Sequence, residues 1–371
     1  MYSNDNRTVI TLDAGGTNFA FGAIKGNKFI VEPLVLPSNA DELDRCLETM
    51  VEGFNRIIGK LDEKPVAISF AFPGPADYPN GIIGGYLPNF PSFRDGVALG
   101  PFLEEKFGIP VYINNDADLY AYGEALGGAL PELNEKLVKS GSNKQFNNLL
   151  AFTFGTGFGF GFVSKGELHI GDNSCVETFC QRHKHMPNVM VEEGVSIRAI
   201  KRVYAEESGS TDMTLTPKDI FDIAEGRRSG DAEAAKKAFA TMGEVAGDAM
   251  ATAVTFIDGV IVIGGGLAAA AKYIKPALLK EMRSKIHTMQ GGSLNRVQMK
   301  VYDLDNEAEF EEFAKGESRT IKVYGSDREV SYDPQKRIGV MFSKIGANAA
   351  TSVGAYAFAL NKLDKANGSN K

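Results

Sequence analysis

The stretch Val9-Ile10-Thr11-Leu12-Asp13-Ala14-Gly15-Gly16-Thr17-Asn18 decides the fold. An apolar run leads directly into a carboxylate, two glycines and a hydroxyl. Glycines let backbone N–H groups approach phosphate oxygens with no Cβ in the way. Thr17 can donate a hydrogen bond, and Asp13 can hold hydrated Mg²⁺ through its water shell. The stretch is not a Walker A loop, because G-x-x-x-x-G-K-[ST] is absent. A plain hairpin remains an alternative, since Phe19–Ile24 and Lys28–Val35 also read as strands.

Three further segments follow in order. Asn114-Asn115-Asp116 comes after a short strand, 111–113, and opens a helix ending near Glu124. Phe154-Gly155-Thr156-Gly157-Phe158-Gly159 follows the apolar strand 149–154, and Ile261-Val262-Ile263-Gly264-Gly265-Gly266 again joins a buried strand to a helix. Singly, each fits an ordinary strand-exit turn. Together they supply two glycine loops for phosphates, one for an adenosine and a carboxylate at a strand end. Gly155, Thr156 and Gly157 join Gly15, Gly16 and Thr17 as the phosphate clamp. Gly264, Gly265 and Gly266 would let an adenosine lie against backbone.

In this order, Asp-x-Gly-Gly-Thr, Asn-Asp, Gly-Thr-Gly-x-Gly and Gly-Gly-Gly, the chain resembles the sugar kinases of the ROK family (repressors, open reading frames, kinases), within the actin-like/hexokinase ATPase superfamily. Phe72-Pro73-Gly74-Pro75-Ala76-Asp77 resembles the family's Pro-Gly-Pro-Val-Asp segment. The resemblance covers roughly residues 7–290 and 338–362. It implies an α/β protein of two actin-like, ribonuclease-H-like lobes with an interlobe cleft that closes on the sugar. The first lobe would be 1–117 plus a returning helix in 346–371, and the second 118–345.

The resemblance implies ATP-dependent phosphorylation of a hexose 6-hydroxyl, with glucose the first choice, ATP and Mg²⁺ as cofactors, and Asp116 as general base. Read from the residues alone, Asp116 equally fits a cap of the following helix. Carried over by motif, the sugar ligands are Gly74, Asn115, Asp116, Glu177 and Glu192, with Asn89 as a further candidate. Glu193 competes with Glu192 one residue away. Where the family has a histidine after Glu-Ile-Gly, this chain has Cys180, and the Cys-x-Cys-Gly-x-x-Gly-Cys knuckle is replaced by Cys180-Gln181-Arg182-His183-Lys184-His185-Met186. Cys180, His183 and His185 could ligate zinc. A run this compact, without a second cysteine pair, makes a poor structural zinc site, so the expectation is a zinc-free branch.

Composition bounds the alternatives. The 371 residues are 43% apolar and 23% charged, with a net charge of −7, which argues against a nucleic-acid surface. The first residues are polar and lack a signal-peptide core, and no apolar run reaches membrane-spanning length. Three cysteines suggest no disulfide framework. The expectations are a cytoplasmic homodimer that takes a sugar and a nucleotide, with neither nucleic acid nor membrane as partner. A fructo-, manno-, allo- or N-acetylhexosamine kinase is the alternative within the family. A sugar-sensing repressor would need a helix-turn-helix ahead of the first strand. A non-catalytic sugar-binding module and an actin- or chaperone-like ATPase complete the alternatives.

Along the chain, periodicity predicts a helix over 41–59 with Leu47, Met50, Val51, Phe54 and Ile58 on one face, and further helices at 100–107, 191–206, 217–226, 231–257, 267–288 and 346–363. Residues 130–148 and 307–336 read as polar surface insertions, and 364–371 as a disordered tail.

Overall fold

The structure, a computed structural model, describes residues 2–368; the side chain of Thr178 is also left out of the description. Contacts divide the chain into two compact units. One comprises residues 1–131, 159–179 and 344–371, and the other 132–158 and 180–343. Residues 118–131 and 159–179, expected with the second lobe, therefore pack in the first unit.

The first unit begins with β1 (Val9–Ala14), β2 (Asn18–Lys25), β3 (Lys28–Phe29) and β4 (Leu34–Pro37). β1 and β2 are antiparallel, with Ala14 opposite Phe19, so the first glycine turn is indeed a hairpin tip. α1 (Leu43–Ile58) buries Cys46, Met50, Phe54 and Ile57, a face turned slightly from the predicted one; Leu47 and Ile58 are only partly covered. β5 (Ala67–Ala71), α2 (Leu99–Phe107), β6 (Val111–Asn114) and α3 (Asp116–Leu126) follow. The sheet order is β3-β2-β1-β5-β6, with β4 also on β2, and β1, β5 and β6 run parallel. Phe19, Phe21, Phe54, Phe70, Phe72, Phe90 and Phe93 fill its core, each contributing about 1.5–3 kcal/mol on burial.

Register matters more than order here. Asp13 on β1 lies opposite Ala71 on β5, which lies opposite Asn114 on β6. Because the three strands are parallel, their carboxyl ends share one edge. The turns after them carry Gly15–Thr17, Gly74, and Asn115–Asp116.

α4 (Ala129–Lys139) replaces the first half of the expected polar insertion. Its Leu130, Leu133 and Leu137 are buried at helical spacing, a stripe hidden among Lys, Glu and Asn. β7 (Asn148–Phe154), β8 (Phe158–Ser164) and β9 (Glu167–Leu168) come next, with β8 and β9 antiparallel. The predicted helix over 191–206 is broken. Residues Val191–Gly194 form a 3₁₀ turn, and Ser196, extended at φ −160°, caps α5 (Ile197–Ser208) by accepting from the Ala199 N–H. α6 (Pro217–Ala224) opens with a reciprocal Thr216–Asp219 capping box, and α7 (Ala232–Ile257) with an Asp231 cap.

β10 (Val260–Gly264) is followed by a 3₁₀ turn and α8 (Ala271–Met282). The helix stops six residues before its predicted end, because β11 (Lys285–His287) pairs with β12 (Ser293–Asn295) in a hairpin. β13 (Lys300–Asp303), α9 (Glu307–Lys315), the exposed hairpin β14 (Arg319–Lys322) and β15 (Glu329–Tyr332), and β16 (Arg337–Phe342) follow. β16 is a buried strand that the sequence reading missed. In the second unit β7, β10, β16 and β13 are successive parallel neighbours. Gly264 pairs with Thr153, so the glycine turns after β7 and β10 again share one carboxyl edge.

α10 (Ala347–Gly368) returns to the first unit. It crosses α3 with the backbones touching: a Cβ on Gly123 would collide with the Ala350 carbonyl, and one on Gly354 with that of Leu119. The tail expected to be disordered is helical to Gly368; its last three residues lie outside the described residues. No helix among the described residues is long and apolar enough to cross a membrane.

Candidate functional site

The carboxyl edge of the first unit gathers Asp13, Gly15, Gly16, Thr17, Gly74, Asn89, Asn115, Asp116 and Glu177. In the β1–β2 turn, Gly15 N–H donates to Asn18 O at 3.1 Å, and the Ser38 hydroxyl holds Gly16 O at 2.6 Å. A Cβ on Gly16 would stand 2.8 Å from that of Asn89, so the structure brings Asn89 against this turn. Asp13 and Thr17 are exposed beside it.

At the start of α3, Asn115 and Asp116 share one backbone donor but differ in exposure. Asn115, buried at 6% exposure, is the N-cap and accepts from Ala117 N–H at 2.7 Å. Asp116 also accepts from that N–H at 2.9 Å, yet its side chain is open to solvent. Protein surrounds it on its other sides. Desolvation therefore raises its carboxyl above the usual range, against the pull of the backbone N–H groups, and Asp13 adds to the rise.

Glu177 stands on a 3₁₀ turn, Val176–Thr178, of the same unit. Its Oε1 is buried without a hydrogen-bond partner and lies 2.7 Å from where a Cβ on Gly74 would be. Burial first, and Asp116 second, push the carboxyl up to about 7. Two neighbours carried no signal in the sequence. The Tyr78 hydroxyl occupies the other side of the Gly74 space and donates to Phe72 O at 3.0 Å. Asp118, wholly buried in the first turn of α3, has neither oxygen hydrogen-bonded. Burial, then Glu177 and Asp116, hold its carboxyl well above the usual range. As an acid in a first helical turn it reads from sequence as an ordinary dipole partner.

In the second unit Gly155 N–H donates to Gly157 O at 3.1 Å, and Gly155 O receives the first N–H of α5 from Ile197 at 2.9 Å. Gly265, at φ +88°, packs against the Phe154 backbone so closely that any side chain would collide there. Gly155 and Gly266 face open space, and Thr156 is exposed. Gly264 is buried at the end of its strand. Open backbone beside two such turns fits a nucleotide's phosphates and adenosine.

Glu192 belongs to this second edge. Its Oε2 accepts from Phe158 N–H at 3.1 Å and lies against Gly157, while Oε1 meets Arg198 at 3.0 Å. The Glu193 carboxylate meets Arg198, at 2.8 Å. The choice between the two glutamates thus favours Glu192 as the one held at the glycine turn. His183 is buried beside the 3₁₀ turn Val191–Gly194: its ring fills the space next to Gly194, and its Nδ1 accepts from His185 N–H at 3.1 Å. Burial lowers the imidazole's basicity, so it packs as a neutral ring. Cys180 is exposed. Among the described residues no three His, Cys, Asp or Glu side chains gather closely enough to hold a metal ion.

Comparison with known proteins places this geometry. The crystal structure of a glucokinase from Parabacteroides distasonis superposes with a TM-score of 0.90 at 60% identity, covering 97% of this chain and 99% of that one. A glucokinase from Streptomyces griseus, solved with glucose and AMPPNP, shares the fold at a TM-score of 0.60 and 16% identity over 94% of this chain and 98% of that one. Thermotoga maritima glucokinase is 30% identical over 168 residues, 44% of this chain and 46% of that protein. The Escherichia coli transcriptional repressor Mlc is 25% identical over 70% of this chain and 63% of the repressor. The chain thus matches less than two thirds of the length of these last two relatives. Residues 9–306 match the ROK family, so this chain, an α/β protein of the actin-like ATPase fold, belongs to that family.

Proposed function

We propose that this protein transfers the γ-phosphoryl group of ATP to the 6-hydroxyl of a hexose, with glucose the first choice. The observation that carries this reading is the row Asp13–Ala71–Asn114, which carries Gly74, Asn115 and Asp116 to one edge of one sheet, with Glu177 lying against Gly74 there. The 60% identity to a glucokinase supports glucose among the hexoses.

Phosphoryl transfer to an alcohol needs positioning, charge stabilisation and a base. Asp116 takes the hydroxyl proton: its carboxylate is accessible, and its raised proton affinity suits the task. Asn115 and Glu177 hold neighbouring hydroxyls of the sugar, with Gly74 leaving room for the ring and Asn89 beside it. Glu192 contributes a further acceptor. Gly15, Gly16, Thr17, Gly155, Thr156 and Gly157 offer N–H and hydroxyl donors to phosphate oxygens. Gly264, Gly265 and Gly266 make room for the adenosine. Asp13, exposed beside the glycine turn, would hold hydrated Mg²⁺, which would supply charge neutralisation at the phosphates.

The test is coupled ADP release with MgATP and a panel of hexoses and amino-hexoses, with Asp116→Asn as control. Turnover with glucose that the variant loses is the expected result. Silence across the panel while glucose still binds in calorimetry would overturn the kinase reading.

A further inference from the structure

Tyr78, like Asp118, stands at the first unit's edge unused by the sequence motifs and by the proposed chemistry. It is 4% exposed, and backbone on both sides fixes its place. Asp77 and Ile82 exchange two N–H···O bonds of 3.0 Å, and Asn80 Nδ2 donates to the Asp77 carboxylate at 2.9 Å. A phenol has one proton, and this one is committed to the Phe72 carbonyl. Burial first and the Glu177 charge next keep the phenol protonated. Its oxygen is left with lone pairs only, so toward its other neighbours it acts as an acceptor.

Those neighbours are two candidate sugar ligands. The Asn115 side chain adjoins the phenol, and its Oδ1 is already taken by Ala117 N–H, which leaves the amide nitrogen as the donor. Glu177 flanks the same small space, which only a glycine at 74 keeps open. Its Oε1 is buried and otherwise orphaned, and a buried orphan is expensive. As a neutral acid, Glu177 can give its proton to the phenol and turn its other oxygen outward. Asp116 and Asp118 on α3 and Tyr78 itself are the titratable groups facing Glu177.

We infer that Tyr78 is a positioning residue for the sugar: its phenol, pinned to Phe72 O, orients the Asn115 amide and the Glu177 carboxyl together. The inference rests on the sugar-site reading above. Tyr78 touches no reacting atom, so its loss should weaken sugar binding and leave the nucleotide side unaffected.

The test uses the full chain carrying Tyr78→Phe, Glu177→Ala and both together. Calorimetry with glucose reads binding without turnover, and steady-state kinetics read the KM for sugar and for ATP. The expected result for Tyr78→Phe is about a tenfold rise in the glucose Kd and KM, with kcat and the ATP KM within about twofold. In the Glu177→Ala background the same change should cost clearly less than in the wild type, because only the Asn115 contact is left to lose. Sugar and ATP constants rising together, or full additivity in the double variant, would overturn the inference. So would an unchanged glucose Kd alongside a lowered Tm, which marks a packing role alone. If the wild type binds glucose but transfers nothing, the kinase reading fails while the calorimetric comparison still decides Tyr78. If the wild type binds no sugar on the panel, both fail.

Discussion

The same strand arrangement occurs twice in this chain, and the two carboxyl edges carry opposite chemistry. The edge after β1, β5 and β6 collects Asp13, Asp116, Asp118 and Glu177, and no cationic side chain figures among the influences on the last three. The edge after β7 and β10 collects open glycine backbone, and its one glutamate there, Glu192, is tied by Arg198 and by the Phe158 N–H. A phosphate would be repelled by the first edge unless a cation intervened, and would find N–H donors at the second. A polyhydroxylated neutral ligand suits the first, where carboxyl oxygens of Asp116 and Glu177 can accept from its hydroxyls. Strand topology alone therefore does not assign a ligand to an edge. The side chains one or two residues past each strand do.

The sharpest way to break this contrast is Asp116→Asn. Turnover should fall by about 10²–10⁴-fold, the usual worth of a general base, with glucose binding retained. Because Asp116 raises the Glu177 carboxyl, its neutralisation should also let the Glu177 pKa drop below about 7, which carboxyl NMR would follow. Comparable losses of binding and turnover would refute the assignment.

Next in size are the two glutamates. Glu177→Gln imitates the neutral acid, so below about pH 7 its glucose affinity should stay close to that of the wild type. Above that pH the wild type ionises and should lose affinity, while the variant stays flat. Calorimetry at pH 6 and 8.5 distinguishes these. Glu192→Gln should instead raise the sugar and ATP KM together, each by about threefold to tenfold, since the lost charge-assisted bonds hold the turn proposed for phosphate.

Asp118 affects stability. It binds its proton more tightly folded than unfolded, so its burden is absent below the ordinary carboxyl range. Stability then falls as pH rises above that range, by at most about 1.4 kcal/mol per unit until the folded pKa is passed. Asp118→Asn should remove that slope and raise Tm more at pH 8 than at pH 5. The smallest effect belongs to Arg198→Ala: the pair is half exposed, so unfolding stability should change by less than about 1 kcal/mol. A larger change in denaturant titration would mean that Arg198 supports the fold as well as the turn.

The glycine turns and Asn115–Asp116 were legible in the sequence because backbone geometry restricts residue choice there, and a few letters record it. Tyr78 and Asp118 were not, because their importance comes from burial and from neighbours distant in sequence. The break at Val195 hid behind continuous helical periodicity, with Ser196 the only cue to a cap. β16 was obscured by the charged residues before it, and α4 by polar residues that outnumber its leucines. The turn bearing Glu177 was placed by motif, but its protonation depends on Asp116, 61 residues earlier.

The crossing of α3 and α10 has a consequence for synthesis. Asp116 begins a helix whose backbone rests, at Leu119 and Gly123, on Gly354 and Ala350. A nascent chain on the ribosome carries every glycine turn long before it carries the partner of α3. Asp116 should therefore settle into place only after residues 347–360 have emerged, and a chain stalled earlier should carry its glycine turns with α3 still unsupported.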